Sequence, residues 1–200
     1  MTACILVNGS EKGQEGYEDV VIERQQEKFD NTVKEYLSGQ IYDADKNILG
    51  TSQYSHTKLF AWIYGTEIKI AEEILKKREG SISILDLGTS LGNSLFTKVN
   101  FLKSSRVHFW GIDNQKHLID ASERYVKRNH LKNIWFFQEN LSRPQWRGRL
   151  LETNQGQVFD VVTASHLLEH FPAEDSEKMI QQWLEMTKES LVLSVPFEDK

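Results

Sequence analysis

The 200-residue chain contains one cysteine, Cys4, and only three prolines. A single thiol cannot close an intrachain disulfide, and no group of Cys and His residues has metal-ligand spacing, so neither a disulfide scaffold nor a bound metal is expected. A reducing cytoplasm is the compartment this predicts. Long runs of lysine and arginine are also lacking, and 24 basic against 29 acidic side chains leave a net charge of −5. The electrostatic footprint of a protein that grips nucleic-acid phosphates is therefore missing. Long apolar runs are missing too. Phe60 to Tyr64 and Ile134 to Phe137 fall far short of the roughly 20 residues that cross a bilayer. The patch from Ala3 to Val7 has no basic segment ahead of it and does not read as a signal peptide. No nucleic-acid or membrane partner is expected. What remains is an ordinary globular mixture, 39% hydrophobic and 26% charged with 12 glycines, of a length that suits one domain with a small appendage.

Two regimes follow one another, with the change near Gly80. Before it, apolar residues recur at helical spacing, first as Phe29, Val33, Tyr36 and Leu37, then from Leu59 and Phe60 to Ile74 and Leu75. Ser55 or Thr57 would cap the second helix, Lys76-Lys77-Arg78 would face its negative end, and Gly80 would stop it. Gly39 to Ser52 reads as a loop. After Gly80, short β-rich runs alternate with helical stretches, the pattern of βαβ units and a parallel sheet. The expected strands are Ile82 to Leu87, Val107 to Ile112, Ile134 to Gln138, Phe159 to Ala164 and Leu191 to Val195. The stretch from Leu141 to Gln155, around Pro144 and Trp146, carries no clear pattern.

The most informative segment runs from Ile84 through Asp86, Gly88 and Gly92 to Ser94: a strand that enters a glycine-containing turn and then an amphipathic helix. Glycines let backbone approach a ligand closely, and helix-start amides can receive an anionic group. Such a turn also occurs as a plain connection. The next strand ends at Asp113, where a carboxylate can bind two ribose hydroxyls, although an Asp there also caps a helix starting near Gln115. The third ends at Glu139-Asn140-Leu141, where Asn140 either reads an adenine edge or serves the turn. The fourth opens into Ser165-His166-Leu-Leu-Glu169-His170, on the rim where open α/β sheets bind ligands. A nicotinamide-binding domain would want G-x-G-x-x-G, but the matching positions here are Gly88, Ser90 and Asn93.

From about Ile82 to Pro196 these residues resemble the class I S-adenosylmethionine-dependent methyltransferases of small-molecule type, whose fourth-strand motif reads much like Phe159 to His170. The resemblance implies an α/β, Rossmann-like parallel sheet with helices on both faces. It places Asp86, Gly88, Thr89, Ser90 and Gly92 along the methionine portion of S-adenosyl-L-methionine. Asp113 would then take the ribose hydroxyls, Asn114 would flank the adenosine, and Asn140 with Leu141 would contact adenine. Ser165 and His166 would sit at the methionine end, and His166 or His170 would be the general base. One departure is visible: Ser90 stands where the family has its middle glycine.

Residues 1–80 are then expected to form a helical cap, with Tyr54, His56, Lys58, Phe60, Trp62 and Tyr64 concentrated in the lid, and residues 81–200 the cofactor-binding domain. The implied activity is methyl transfer to a small-molecule acceptor. The alternative is a catalytically inactive cofactor-binding module that serves a larger protein. The family's sheet continues for about two strands beyond strand five, so the resemblance also implies missing C-terminal strands, as in a fragment, or a fifth-strand edge covered by a further domain or a second copy in a homodimer.

Overall fold

A computed structural model describes residues 17–38 and 56–195. The expected loop over 39–52, Tyr54 and Ser55 lie outside the described residues, as do the side chains of His56, Thr57 and Lys58. The elements run α1 (Tyr17–Leu37), α2 (His56–Lys77), β1 (Ile82–Leu87), α3 (Asn93–Leu102), β2 (Val107–Asp113), α4 (Lys116–Arg128), β3 (Ile134–Gln138), α5 (Trp146–Thr153), β4 (Phe159–Ser165), α6 (Ser176–Glu185) and β5 (Thr187–Ser194). Two single 3-10 turns, Leu168–His170 and Ala173–Asp175, join β4 to α6. The five strands form one parallel sheet in the order β3-β2-β1-β4-β5.

All six residues of β1 are buried. A central parallel strand has helices against both faces and therefore reads as a nearly continuous apolar run. On one face, Ile82, Ile84, Phe109 and Phe136 of the sheet meet Leu95 and Phe96 of α3 and Ile119 of α4. On the other, Leu85, Leu87, Trp110 and Val162 meet Trp146 of α5 and Trp183 of α6, both with no exposed surface. The segment around Trp146, patternless in sequence, becomes a helix because that indole fills the second core layer. The N-terminal helices join the first layer through Ile22, Ala71 and Ile74. They also share a cluster of their own around Val33, Ala61, Ile63 and Ile68.

Two boundaries differ from the sequence reading. Helix α1 starts at Tyr17, well before Phe29, and β5 starts at Thr187 rather than Leu191. Helix α2 ends at Lys77, as expected, but with a different cation at its carbonyls. Its last carbonyls are served by a residue from across the fold, since the Arg106 guanidinium donates to the carbonyls of Leu75, Arg78 and Glu79. Lys76 instead pairs with Glu73, and Arg78 turns to Asp160 at 2.6 Å. At that end of the sheet the buried Asp160 carboxylate also accepts from the backbone N–H and the hydroxyl of Ser83, tying β4 to β1.

Candidate active site

Where β1 ends, the chain must turn into α3 without a side-chain cap. Gly88, Ser90 and Gly92 take φ of 67°, 51° and 77°. Left-handed backbone is easy for glycine and costly for most other residues. Ser90 thus keeps the conformation that a glycine would supply. Two hydrogen bonds close the turn, Gly92 N–H to the Thr89 carbonyl and Thr89 N–H to the Ile112 carbonyl, both 2.9 Å.

The turn floors a cavity of about 860 Å³ along the carboxyl ends of β1 to β4. Its wall includes Asp86, Gly88, Thr89 and Ser90 after β1, Asp113 and Asn114 after β2, Asn140 and Leu141 after β3, and Ser165, His166 and His170 after β4. Chain-distant sequence positions are thus brought together because parallel strands place all their carboxyl ends on one rim. Gly92 is the exception. It lies off the wall, where a Cβ would stand 2.8 Å from the Phe136 ring. Its place in the sequence pattern reflects close helix-sheet packing.

The carboxylates at this rim are held by the fold. Asp86, buried, accepts from the hydroxyls of Thr163 at 2.6 Å and Thr89 at 3.0 Å. Asp113 accepts from the Ser90 backbone N–H at 3.0 Å and from the Gln115 N–H at 2.9 Å. It therefore caps the entry to α4 and braces the glycine turn while facing the cavity. Asn140 serves its turn as well, its Oδ1 accepting from the Ser142 N–H at 2.9 Å.

At the β4 end, His166 takes φ 52°, and its backbone N–H donates to the Ser194 carbonyl of β5. Its ring lies 5.3 Å from that of Phe60, and its Nδ1 is 3.4 Å from Glu169. Phe29 of α1 packs edge-on against Phe60 and Tyr64 of α2, which makes a continuous aromatic wall. Both α1 and α2 contribute to the cavity, through Gln25, Lys28, Phe29, Phe60 and Tyr64.

Behind that wall lies an ion pair. Lys98 Nζ meets Glu67 Oε2 at 2.6 Å and the Ser94 hydroxyl at 2.5 Å, with both charged side chains essentially inaccessible. Ser165 donates to the other Glu67 oxygen at 3.4 Å. Burial pushes the Glu67 carboxyl above its ordinary value, and Lys98 opposes that rise. Burial, with Asp86 and Glu67 nearby, holds the Tyr64 phenol well above the usual tyrosine range, so the hydroxyl keeps its proton. Sequence reasoning missed Glu67, Lys98, Gln25 and Lys28. For the pair, the available signal was two opposite charges set within apolar helical stripes, beside Ile63 and Ile68 in one case and Leu95 in the other. For Gln25 and Lys28 it was their i, i+3, i+4 spacing with Phe29.

A parallel five-stranded sheet whose carboxyl ends form a cavity with a glycine turn and strand-end carboxylates defines a Rossmann-like ligand-binding domain. Residues 84–190, more than half of the chain, match the family described as methyltransferase domain. The chain belongs to that family, and its architecture is that of the class I, S-adenosylmethionine-dependent methyltransferases. Among curated proteins, none matches. Similar solved structures include the YcgJ protein of Bacillus subtilis, 17% identical, with a TM-score of 0.49 over 66% of this chain and 49% of that one. Magnesium protoporphyrin IX methyltransferase (ChlM) from Synechocystis PCC 6803, solved with bound SAM, is 15% identical, with a TM-score of 0.49 over 82% of this chain and 74% of its own. An O-methyltransferase family protein from Burkholderia thailandensis is 15% identical, with a TM-score of 0.47 over 88% of this chain and 52% of its own. This chain thus spans about half the length of the Bacillus protein.

Proposed function

We propose that this domain transfers the methyl group of S-adenosyl-L-methionine to a small-molecule acceptor held at the β4 end of the cavity. The observation that carries this reading is the convergence of Asp86, the Gly88–Ser90 turn, Asp113, Asn140 and Ser165 on one wall. The donor set fits the cofactor's chemistry: carboxylates suit an ammonium and a ribose diol, an amide suits an adenine edge, and 860 Å³ accommodates a ligand of that size. In this reading Asp113 receives the ribose hydroxyls, Asn140 and Leu141 the adenine, and Asp86 with the turn the methionine portion. Asn114 flanks the adenosine, and Ser165 stands at the methionine end.

When bound, the cofactor supplies a sulfonium-activated methyl group. The chain's task is to align the acceptor for in-line displacement, exclude water, and take the acceptor's proton where it has one to lose. His166 is placed for that last role, with Glu169 beside Nδ1 to orient the ring; His170 is the second candidate. Helices α1 and α2 act as the cap, since Phe29, Phe60 and Tyr64 roof the β4 end. We read the compartment as cytoplasmic on the strength of the single thiol.

Titration calorimetry with S-adenosylmethionine and S-adenosylhomocysteine tests the reading. Both should bind, and Asp113→Ala should weaken them by about 1.5–3 kcal/mol, the worth of charge-assisted hydrogen bonds. Absence of binding by the unmodified chain would remove the proposal, and unchanged affinity in the variant would remove the role given to Asp113.

A further inference from the structure

We propose that the acceptor is an aromatic carboxylate, its ring against the Phe29 and Phe60 rings and its carboxylate on the Lys28 ammonium. This rests on the preceding reading, in which the strand-end carboxylates take the cofactor, and it names the class of acceptor for the remaining space. The polar groups of the cavity are unevenly distributed. Three carboxylates line it, Asp86, Asp113 and Glu139, and all lie at the carboxyl ends of β1, β2 and β3. Each already has partners: hydroxyls for Asp86, backbone amides for Asp113, and Arg149 at 2.9 Å for Glu139. The helical wall is different. Lys28 is on the cavity wall, and among the described residues its ammonium makes no ion pair or hydrogen bond. No carboxylate lines the wall on α1 or α2.

The Tyr64 hydroxyl adds a polar group to the same helical wall. The residue is only 7% exposed and lines the cavity, yet its hydroxyl has no partner among the described residues. The hydroxyl is therefore free to donate into the cavity, and a purely apolar acceptor would leave that donor unused. A ring that carries a polar substituent as well as a carboxylate uses both Lys28 and Tyr64. The aromatic character follows from the walls, because offset and edge contacts among rings favour a flat aromatic body over an aliphatic one.

The helical wall is also rigid enough to select. Gln26, two residues from Lys28 and so on the opposite side of α1, is buried and donates to Thr97 and Asp30 at 2.8 Å each, while its carbonyl oxygen accepts from Asn93 at 3.0 Å. Asn100 donates to Asp30 at 2.7 Å. These bonds fix the rotation of α1 on α3, and with it the direction in which Lys28 and Phe29 point.

The test is binding of 4-hydroxycinnamate and 4-hydroxybenzoate, each against its methyl ester, to the full chain saturated with S-adenosylhomocysteine, followed by calorimetry or saturation-transfer NMR. The acids should bind about tenfold tighter than the esters. Lys28→Ala should bring the two within about twofold by weakening the acids alone, Lys28→Arg should retain most of the preference, and S-adenosylhomocysteine affinity should not change in either variant. Lys28 is exposed, so its replacement leaves packing intact. Equal binding of acid and ester, or binding of neither, would overturn the proposal. So would a Lys28→Ala loss that falls on S-adenosylhomocysteine and spares 5′-methylthioadenosine, since Lys28 would then hold the cofactor's own carboxylate. Failure of S-adenosylhomocysteine to bind the unmodified chain would instead bring down the parent reading.

Discussion

At the scale of single residues, the most consequential feature is the Glu67–Lys98 pair, which spans α2 and α3 directly behind the cavity wall. Two charges removed from water cost several kcal/mol each, repaid only through close geometry and further hydrogen bonds. Here the repayment comes from the 2.6 Å contact, the Ser94 hydroxyl on Lys98 and the Ser165 hydroxyl on Glu67. Removing one partner strands the other. Lys98→Met should destabilise the chain by about 3–5 kcal/mol, and the double change Glu67→Leu with Lys98→Met should recover much of that loss. Urea unfolding of the two variants measures both. The loss should also depend on pH in a defined direction. Glu67 already has a folded-state pKa above its unfolded one, and removal of Lys98 raises it further. The folded variant then binds more protons than the unfolded chain, so its stability increases as pH falls from neutrality toward the ordinary carboxylate range. A Lys98→Met deficit equally large at pH 5.5 and pH 8 would contradict this account.

Elements show how far sequence patterning reaches. The glycine turn, the strand-end carboxylates and all five strands were legible, because buried parallel strands are short apolar runs and parallel topology brings their ends to one rim. The first half of α1 was not. Its inward stripe is Ile22, Gln26, Phe29 and Val33, and a glutamine on the buried face interrupts the apolar period. That glutamine faces inward because Thr97 and Asn93 of α3, with Asp30 one turn on in α1, satisfy its amide, and the α3 partners are invisible in the α1 sequence itself. Likewise β5 begins with Thr187-Lys-Glu-Ser, polar residues on the outermost described strand, where the ladder needs only backbone groups. The register slip between Phe159 and Val161 falls in the same stretch. From α1 follows a prediction for the element as a whole. Gln26→Leu keeps the volume but leaves the buried Asn93 amide only the Ile22 carbonyl at 3.4 Å, and should cost about 1–3 kcal/mol. It should also loosen α1, so that amide exchange from Tyr17 to Leu37 speeds up more than exchange in β1. Exchange sped up equally throughout, or unchanged in α1, would mean that the network does not dock the helix.

For the molecule as a whole, the sheet separates stability from binding along its strands. Cavity residues sit at the carboxyl ends. At the opposite ends, Asp160 gathers Arg78 from the end of α2, Ser83 from β1 and Lys188 from β5, the last at 3.6 Å. Burial alone would raise the Asp160 carboxyl, but the Arg78 hydrogen bond and those from Ser83 outweigh it and leave the group below its ordinary value. A folded-state pKa below the unfolded one means stability that is present above the usual carboxylate pKa, near 3.8, and is lost as pH falls through the depressed value. Asp160→Ala should therefore lower unfolding free energy at pH 7 by about 2–4 kcal/mol, since it removes the acceptor of the buried Ser83 amide and the shortest ion pair of Arg78. The deficit should shrink on acidification below pH 4, where the unmodified chain loses the same interaction. Below its own melting range, however, the variant should bind S-adenosylmethionine as tightly as the unmodified chain, and its effect should add to that of Asp113→Ala, because sites with no shared partner and the length of a strand between them couple weakly. Thermal unfolding and calorimetry on the two single variants and the double variant decide it. A cofactor affinity that falls with Asp160→Ala under folded conditions would show that the two ends of the sheet are coupled, and the carboxyl-end turn would then owe its geometry to the opposite edge as well as to Asp113.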